Sequence, residues 1–482
     1  MKIEIPADIA AADQLGHVFF IGIGGAGLSA IARLMHESGI TVSGSDAAES
    51  KVVASLRGEG MTCFVGHDAS HLAGVDTVIA STAVRADNPE IVEALRLGLR
   101  LWPRSAGLQS VLMGHRTIAV AGTHGKTTTT AMLASALRMV GASPSFAIGA
   151  EVEGLGTNAR LGRGDLFIAE ADESDGAFLV YTPAGAIITN VDADHLDNYG
   201  TVAAYDAAFA EFVTHVDDFV VLCADDPGAA ALAEGARARG LQVILAGFGD
   251  DAGLRGSDLT INGSHTGFTV SQDHKELGRV ELQVPGKHYA QDALLALGAG
   301  LVLGFNFADL ARGLGQHRGA RRRMEFLGNA GGVRVYDSYA HHPTEIRGDI
   351  AAARGIAGDS RLVVVFQPHL VSRTRTYGEA MGAELSAADL VVVADIYLAR
   401  EDPDPAVTTR LIIDAVSGPP VVDGGPVAEL DGVVFPFLEP GDVLLTLGAG
   451  DITAVGPRVL KRLAVGEHVI DEYVTDEYVT DE

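Results

Sequence analysis

Short apolar runs, glycine turns and helix-period stretches follow one another along this chain. Residues 117–120 are apolar and rich in β-branched side chains, and 122–126 form a glycine turn. From Thr127 to Met139 apolar residues recur at helical spacing, and Gly141 ends the helix. The same strand–turn–helix unit opens at 17–46, HVFFIGIGGAGLSAIARLMHESGITVSGSD, with a second strand ending on Asp46. Further strands are predicted at 76–81, 165–169, 186–189, 219–223 and 242–246. Alternation in GFTVS and VELQV predicts an antiparallel excursion over 258–286, and PGKHYAQDALLALGAGLVLG then starts a helix after a Pro-Gly turn. Past a basic run at 318–323 the unit returns, with strands at 333–336, 362–366, 390–394 and 443–447. Apolar strands alternating with helices predict parallel sheets. The expected fold class is α/β in three domains: a Rossmann-like N-terminal domain (1–110), a central doubly wound domain of P-loop ATPase type (111–318) and a C-terminal Rossmann-like α/β domain (319–466). The repeat DEYVTDEYVTDE closes an acidic tail (467–482) expected to be disordered.

Composition narrows the function classes. A chain of 482 residues is too long for one core. Its formal net charge of −28 argues against non-specific nucleic-acid binding, while local clusters of arginine and lysine still allow anionic small ligands. Cys63 and Cys223 are far apart and offer neither a disulfide framework nor metal-ligand spacing, so both read as buried thiols of a reducing cytosol. The N-terminus shows no basic, then apolar, leader pattern, and no apolar stretch approaches the ~20 residues needed to span a bilayer. A cytoplasmic protein without membrane or nucleic-acid partners is expected.

Two glycine motifs carry the chemistry. Gly22, Gly24 and Gly27 satisfy G-x-G-x-x-G, and Asp46 falls where a ribose-binding acid is expected. Alone this suggests NAD, although any nucleotide pyrophosphate fits such a turn. The second, GTHGKT at 122–127, feeds a helix N-terminus, where backbone N–H groups and the helix dipole favour phosphate. Lys126 can reach the β/γ-phosphates and the Thr127 hydroxyl can take Mg²⁺. The loop is shorter than a usual P-loop, since Val120 stands where the first glycine is expected. Acids crowd the end of the next strand, Glu170, Asp172, Glu173 and Asp175, and Asn190, Asp192, Asp194, His195 and Asp197 crowd the loop that ends the one after. Ligands of doubly wound sheets sit at the carboxyl ends of strands, so these loops are candidates for metal or phosphate; the alternative is a solvated acidic loop. The basic run 318–323 reads as a phosphate contact or a solvated linker. Polar clusters also end the C-terminal strands, at 337–345, 367–374, 395–402 and 448–451.

GIGGAGLSAIA, GSD, GTHGKTTTT, EADESD, NVDADHLDNYG, SYAHHPTE, FQPHLVSRT and LTLGAGDI occur in an order that resembles the Mur ligases over about residues 15–465. The resemblance implies an ATP- and Mg²⁺-dependent ligase of peptidoglycan precursor synthesis. It would join L-alanine to the lactyl carboxylate of UDP-N-acetylmuramate through an acyl phosphate, releasing ADP and phosphate. By resemblance the first domain holds the UDP-sugar through Gly22, Gly24, Gly25, Ala26, Gly27, Asp46, Ser81 and Thr82, with His124 reaching it from the second. ATP falls to Gly122, Thr123, His124, Gly125, Lys126, Thr127, Thr128, Asp292 and Arg323. Thr127, Glu170 and His195 would hold metal, with Glu173 the rival on the same loop. Tyr339, His341 and Arg373 would handle the amino acid and the acyl-phosphate charge, and His341 or His342 would assist proton loss from the alanine ammonium. Lys126, His195, His341 and Arg373 form the implied catalytic set. The chain departs from the family pattern at Tyr289 and Asp292, where asparagines are usual, at Leu370, where arginine is usual, and around Glu401. An ionised Asp292 can only accept hydrogen bonds from adenine. Two other readings stay open: a related ligase adding a preformed peptide to the same nucleotide sugar, and an NAD-dependent oxidoreductase built on GIGGAG and Asp46. The latter leaves GTHGKT and the acidic loops without a task.

Overall fold

The computed structural model describes residues 3–81, 84–174, 176–399 and 401–465; Thr82, Asp175 and the acidic tail lie outside them. The chain divides into two compact units, one up to Arg323 and one from Met324 onward.

The first unit holds two sheets. In one, five parallel strands lie in the order Thr62–Val65, Val42–Asp46, Val18–Ile21, Thr77–Ala80, Arg100–Pro103. The central strand, VFFI, is buried throughout, as a parallel strand covered on both faces must be. Ile21 pairs with Ser45 on one side and Ala80 on the other. Three adjacent strands therefore end together, and the turn at Gly22, the acid Asp46 and Ser81 emerge from one edge. The outer strands, Thr62–Val65 and Arg100–Pro103, were not expected from the sequence.

The second sheet has ten strands. Arg116–Ala121 runs parallel between Gly185–Ile188 and Leu166–Glu170. Phe219–Cys223 and Gln242–Gly247 extend one side, Ser145–Ala147 and Ala159–Arg160 the other. The antiparallel excursion is real but begins earlier than expected: Leu254–Asn262, His265–Gln272 and Lys275–Leu282 join the sheet beyond Gln242–Gly247. The chain leaves Arg116–Ala121 toward one side and later returns to the other. The carboxyl end of this strand is thus a topological switch point, where ligands bind. Helices Lys126–Met139 and Lys287–Val302 pack against each other.

The second unit is a six-stranded sheet, Glu325–Ala330, Val333–Ser338, Val443–Leu447, Leu362–Phe366, Leu390–Ala394 and Val421–Gly425 in spatial order. All neighbours are parallel except the first pair. Ser338, Leu447 and Phe366 stand in register, so the polar stretches that follow them emerge side by side. Cys63 and Cys223 are free and buried, and burial pushes the Cys223 thiol up to about 12. Among the described residues no helix is long and apolar enough to cross a membrane.

Candidate active site

Three loops meet at the switch point of the ten-stranded sheet because the strands that feed them are neighbours. The first is the glycine loop. Gly122 has φ +135° and Gly125 φ +80°. A side chain at Gly122 would place Cβ 2.0 Å from Thr189 Oγ1, and one at Gly125 would place it 2.6 Å from Asp292 Oδ1. Glycine is required at both positions by conformation and by space. The rest of the loop is tied to the 189–192 segment. His124 N donates to Asn190 Oδ1 at 2.8 Å, and its carbonyl accepts from Thr189 Oγ1 at 2.5 Å and Asn190 Nδ2 at 3.0 Å. Thr123 Oγ1 donates to the Asp192 carbonyl at 2.9 Å and lies 2.7 Å from the Tyr205 hydroxyl. The His124 ring reaches Asp192 at 3.6 Å.

Lys126 is folded into this cage. Its ammonium donates to the carbonyls of Gly122 and Thr123 at 2.7 and 3.1 Å and pairs with Glu173 Oε2 at 2.6 Å. Burial alone would pull the ammonium down, but Glu173, Asp172 and Glu170 outweigh it and hold its pKa above the ordinary value. Glu173 is fully buried, and burial raises its carboxyl against the opposing pull of Lys126. Thr127 Oγ1 donates to both Glu170 oxygens at 3.1 and 3.0 Å, and Gly149 N donates to Glu170 Oε2 at 2.7 Å. His195 has φ +53°, begins the short helix Leu196–Tyr199, and brings Nε2 within 3.8 Å of Glu173 and 3.6 Å of Asp194. Lys126, Thr127, Glu170, Glu173 and His195 are thus brought together. Hydroxyl and carboxylate oxygens are the donors magnesium takes. Lys126 takes Glu173 Oε2, while Glu173 Oε1 is buried without a hydrogen-bond partner, so the donor set fits a divalent cation. Thr128 is buried on the first turn of the helix. Asp292 lies against Gly125, with Arg323 close enough to act on its charge; burial pushes its carboxyl up to about 8.

On the five-stranded sheet, Gly22 N and Ile23 N donate to the Ser45 carbonyl at 2.8 and 2.9 Å, and Gly25 caps the helix Ala26–Glu37. Asp46 Oδ2 accepts from Gly24 N at 2.9 Å, so this carboxylate braces the turn itself. Gly27 is covered by Arg104. Ser81 follows the strand Thr77–Ala80, its carbonyl accepting from Val84 N at 3.1 Å. Arg104 carries no motif around it and was not expected at a site.

In the second unit Tyr339, His341 and Arg373 gather around His369. The Tyr339 and His341 rings are 5.3 Å apart, those of His341 and His369 5.8 Å, and Arg373 Nη1 lies 3.2 Å from His369 Nδ1. His341 Nδ1 lies 2.9 Å from the Tyr339 carbonyl, and burial pulls the imidazole down to about 3. It is therefore neutral near pH 7, with its proton on Nδ1 and Nε2 left as an acceptor. Glu345 Oε2 accepts from the backbone N–H of His341 at 3.0 Å and of His342 at 3.3 Å. Leu370 has φ +70°, and Glu401 binds Ser372 N and Oγ at 2.9 and 2.5 Å at the start of the helix Val371–Leu385, which carries Arg373.

Comparison with known proteins agrees with this geometry along nearly the whole chain. Residues 17–116 match the description of the Mur ligase family catalytic domain, 120–300 the Mur ligase middle domain, and 322–450 the Mur ligase glutamate ligase domain. The chain is 55% identical over 465 residues to a UDP-N-acetylmuramate–L-alanine ligase of Nocardioides sp., covering 95% of this chain and 99% of that one. It is 45% identical over 473 residues to the protein of the same name from Thermobifida fusca, covering 96% and 100%. The crystal structure of the UDP-N-acetylmuramate–alanine ligase MurC of Thermotoga maritima superimposes with a TM-score of 0.81 at 30% identity, covering 94% of this chain and all of that one.

Proposed function

The chain belongs to the Mur ligase family, and from that premise we infer that it joins L-alanine to the lactyl carboxylate of UDP-N-acetylmuramate with hydrolysis of ATP. The carrying observation is full-length similarity to ligases of that name, together with a lysine caged in a glycine loop beside a buried carboxylate. The reaction is an ATP- and magnesium-dependent step of peptidoglycan precursor synthesis. We place it in the cytoplasm, where a protein with two buried free thiols and a nucleotide-sugar substrate is at home.

The roles of individual residues follow from the chemistry. Phosphoryl transfer to a carboxylate needs alignment and charge neutralisation more than covalent help. Lys126 supplies the cation for the β/γ-phosphates, and the N–H groups of residues 125–128 at the helix start cradle them. Thr127 and Glu170 would hold the metal, with Glu173 and His195 beside them; bound with ATP, magnesium would supply further charge neutralisation at the transferring group. His124 faces the sugar substrate from the loop. Asp292 and Arg323 border the adenine side. The turn from Gly22 to Gly27, with Asp46, Ser81 and Thr82, takes the UDP moiety. The acyl phosphate then meets the alanine amine, and collapse of the tetrahedral intermediate leaves amide and phosphate. Arg373 balances the acyl-phosphate charge, and Tyr339 and His341 position the amino acid. A neutral imidazole with a pKa near 3 is a poor base for an ammonium proton, so we assign His341 the task of orienting the amine through Nε2. The functional division at 1–110, 111–318 and 319–466 remains part of this proposal.

The test is phosphate release with ATP, Mg²⁺, UDP-N-acetylmuramate and each of alanine, glycine, serine and a tripeptide. Alanine is expected to give the highest kcat/KM. A rate that rises only with the tripeptide would replace this reading by the peptide-adding one.

A further inference from the structure

Arg104 opens the helix Arg104–Leu112, directly after the edge strand of the five-stranded sheet. Its side chain lies across the glycine turn: a Cβ at Gly27 would meet Arg104 Cδ at 2.9 Å and Nη1 at 3.2 Å. From there Nη2 donates to Asp172 Oδ2 at 2.7 Å. Asp172 is the residue before Glu173, which holds Lys126. One guanidinium therefore spans the nucleotide-sugar turn and the acidic loop of the ATP site. Other ties also cross between the two sheets: Arg33 Nη1 to Asn158 Oδ1 at 2.6 Å, Asn158 Nδ2 to the Ala26 carbonyl of the glycine turn at 2.9 Å, and Leu161 N to Glu37 Oε2 at 2.7 Å. These hold the regions together, which leaves the Arg104–Asp172 pair able to exchange partners without the sheets separating.

We propose that Arg104 is a binding residue for the pyrophosphate of the nucleotide sugar, and that Asp172 is its built-in competitor. This rests on the reading of the glycine turn as the UDP-sugar site. The planar fork of arginine suits a diphosphate as well as a carboxylate. A diphosphate over Gly27 presents more charge than Asp172 does and takes the guanidinium from it. The released Asp172 charge then acts on Lys126 and its neighbours, so occupancy of the sugar site is felt at the ATP site. Because linkage is reciprocal, ATP binding changes UDP-sugar affinity by the same factor.

The test is calorimetric titration of the full-length protein with UDP and with uridine, in the wild type, Arg104→Gln, Asp172→Asn and the double variant. Arg104→Gln is expected to weaken UDP at least tenfold and leave uridine unchanged. Asp172→Asn is expected to tighten UDP at least threefold, and the double variant to follow Arg104→Gln. A purely structural tie predicts instead that both single variants weaken UDP and uridine alike. That result, or wild-type UDP affinity in Arg104→Gln, overturns the inference. If the wild type binds neither UDP nor UDP-N-acetylmuramate, the functional reading itself falls, and the inference with it.

Discussion

Asp292 stands where the family pattern leads one to expect asparagine, and its surroundings give it the protonation state that makes the exchange workable. At about 8 its carboxyl is mostly neutral at pH 7, and a neutral carboxylic acid has an O–H to donate, as an amide has an N–H. A carboxyl whose folded pKa lies above its unfolded value of about 3.9 contributes stability that is complete below that value and is lost as pH rises through about 8. Asp292→Asn is expected to remove this loss. Its melting temperature should exceed that of the wild type by a margin that grows from pH 5 to pH 8 and then levels off; a margin independent of pH would show that Asp292 is not buried as an acid. Lys126 gives a sharper expectation. Removing one of two paired buried charges leaves Glu173 uncompensated, a change that costs about 3–5 kcal/mol, so Lys126→Ala tests stability and activity together. Lys126→Met with Glu173→Gln removes both charges. We expect this double variant to fold, to bind UDP-N-acetylmuramate normally in calorimetry, and to lose ligation by at least a thousandfold. Near-normal turnover in it would end the assignment of the glycine loop to ATP.

At the scale of elements, the site exists because Leu166–Glu170, Arg116–Ala121 and Gly185–Ile188 are adjacent and parallel. Glu170 pairs in register with Val120, two residues before the glycine loop, and this places its carboxylate on Thr127. His195 arrives on the loop from the other side. If the two loops share the metal, Glu170→Gln and His195→Ala should each raise the magnesium concentration for half-maximal rate several-fold and leave UDP-sugar binding unchanged. A magnesium titration in which His195→Ala lowers only the plateau would reduce His195 to a brace for its loop. The strands feeding these loops were legible in the sequence itself: they are continuous buried apolar runs, as is Leu362–Phe366 in the second unit, and such runs announce themselves. Thr62–Val65, Arg100–Pro103 and Val421–Gly425 did not, since each is partly exposed and mixes polar residues or glycine into the run. Asp46 shows the same limit at a site. Its spacing marked it as an acid at a strand end, but spacing cannot tell a ribose ligand from the brace on Gly24 that it forms. Arg104 carried no signal at all, because its meaning comes from Gly27 and Asp172, 77 and 68 residues away.

On the scale of the whole molecule, the assigned residues divide between two units with separate cores. One apolar cluster, from Val333 to Leu463, lies wholly beyond Met324 and fills the six-stranded sheet. The connecting segment belongs to the first unit as far as Arg321: Val152 bridges Ala320, and Arg321 N donates to the Glu151 carbonyl at 2.9 Å. Each unit buries its own strands, so ending the chain after Arg323 strips no strand from the ten-stranded sheet. That truncated chain carries Lys126, Thr127, Glu170, Glu173, His195 and the Gly22–Gly27 turn, and it lacks Tyr339, His341 and Arg373. It is expected to fold with a single cooperative transition and to bind UDP-N-acetylmuramate within about threefold of the full chain, a difference of roughly 0.6 kcal/mol. Phosphate release with ATP and alanine should be absent, because the groups assigned to the amino acid and the acyl-phosphate charge are gone. A truncated chain that binds the sugar nucleotide and still forms the amide would remove Arg373 and His341 from the reaction. One that folds but no longer binds UDP-N-acetylmuramate would move part of the nucleotide-sugar site into the second unit.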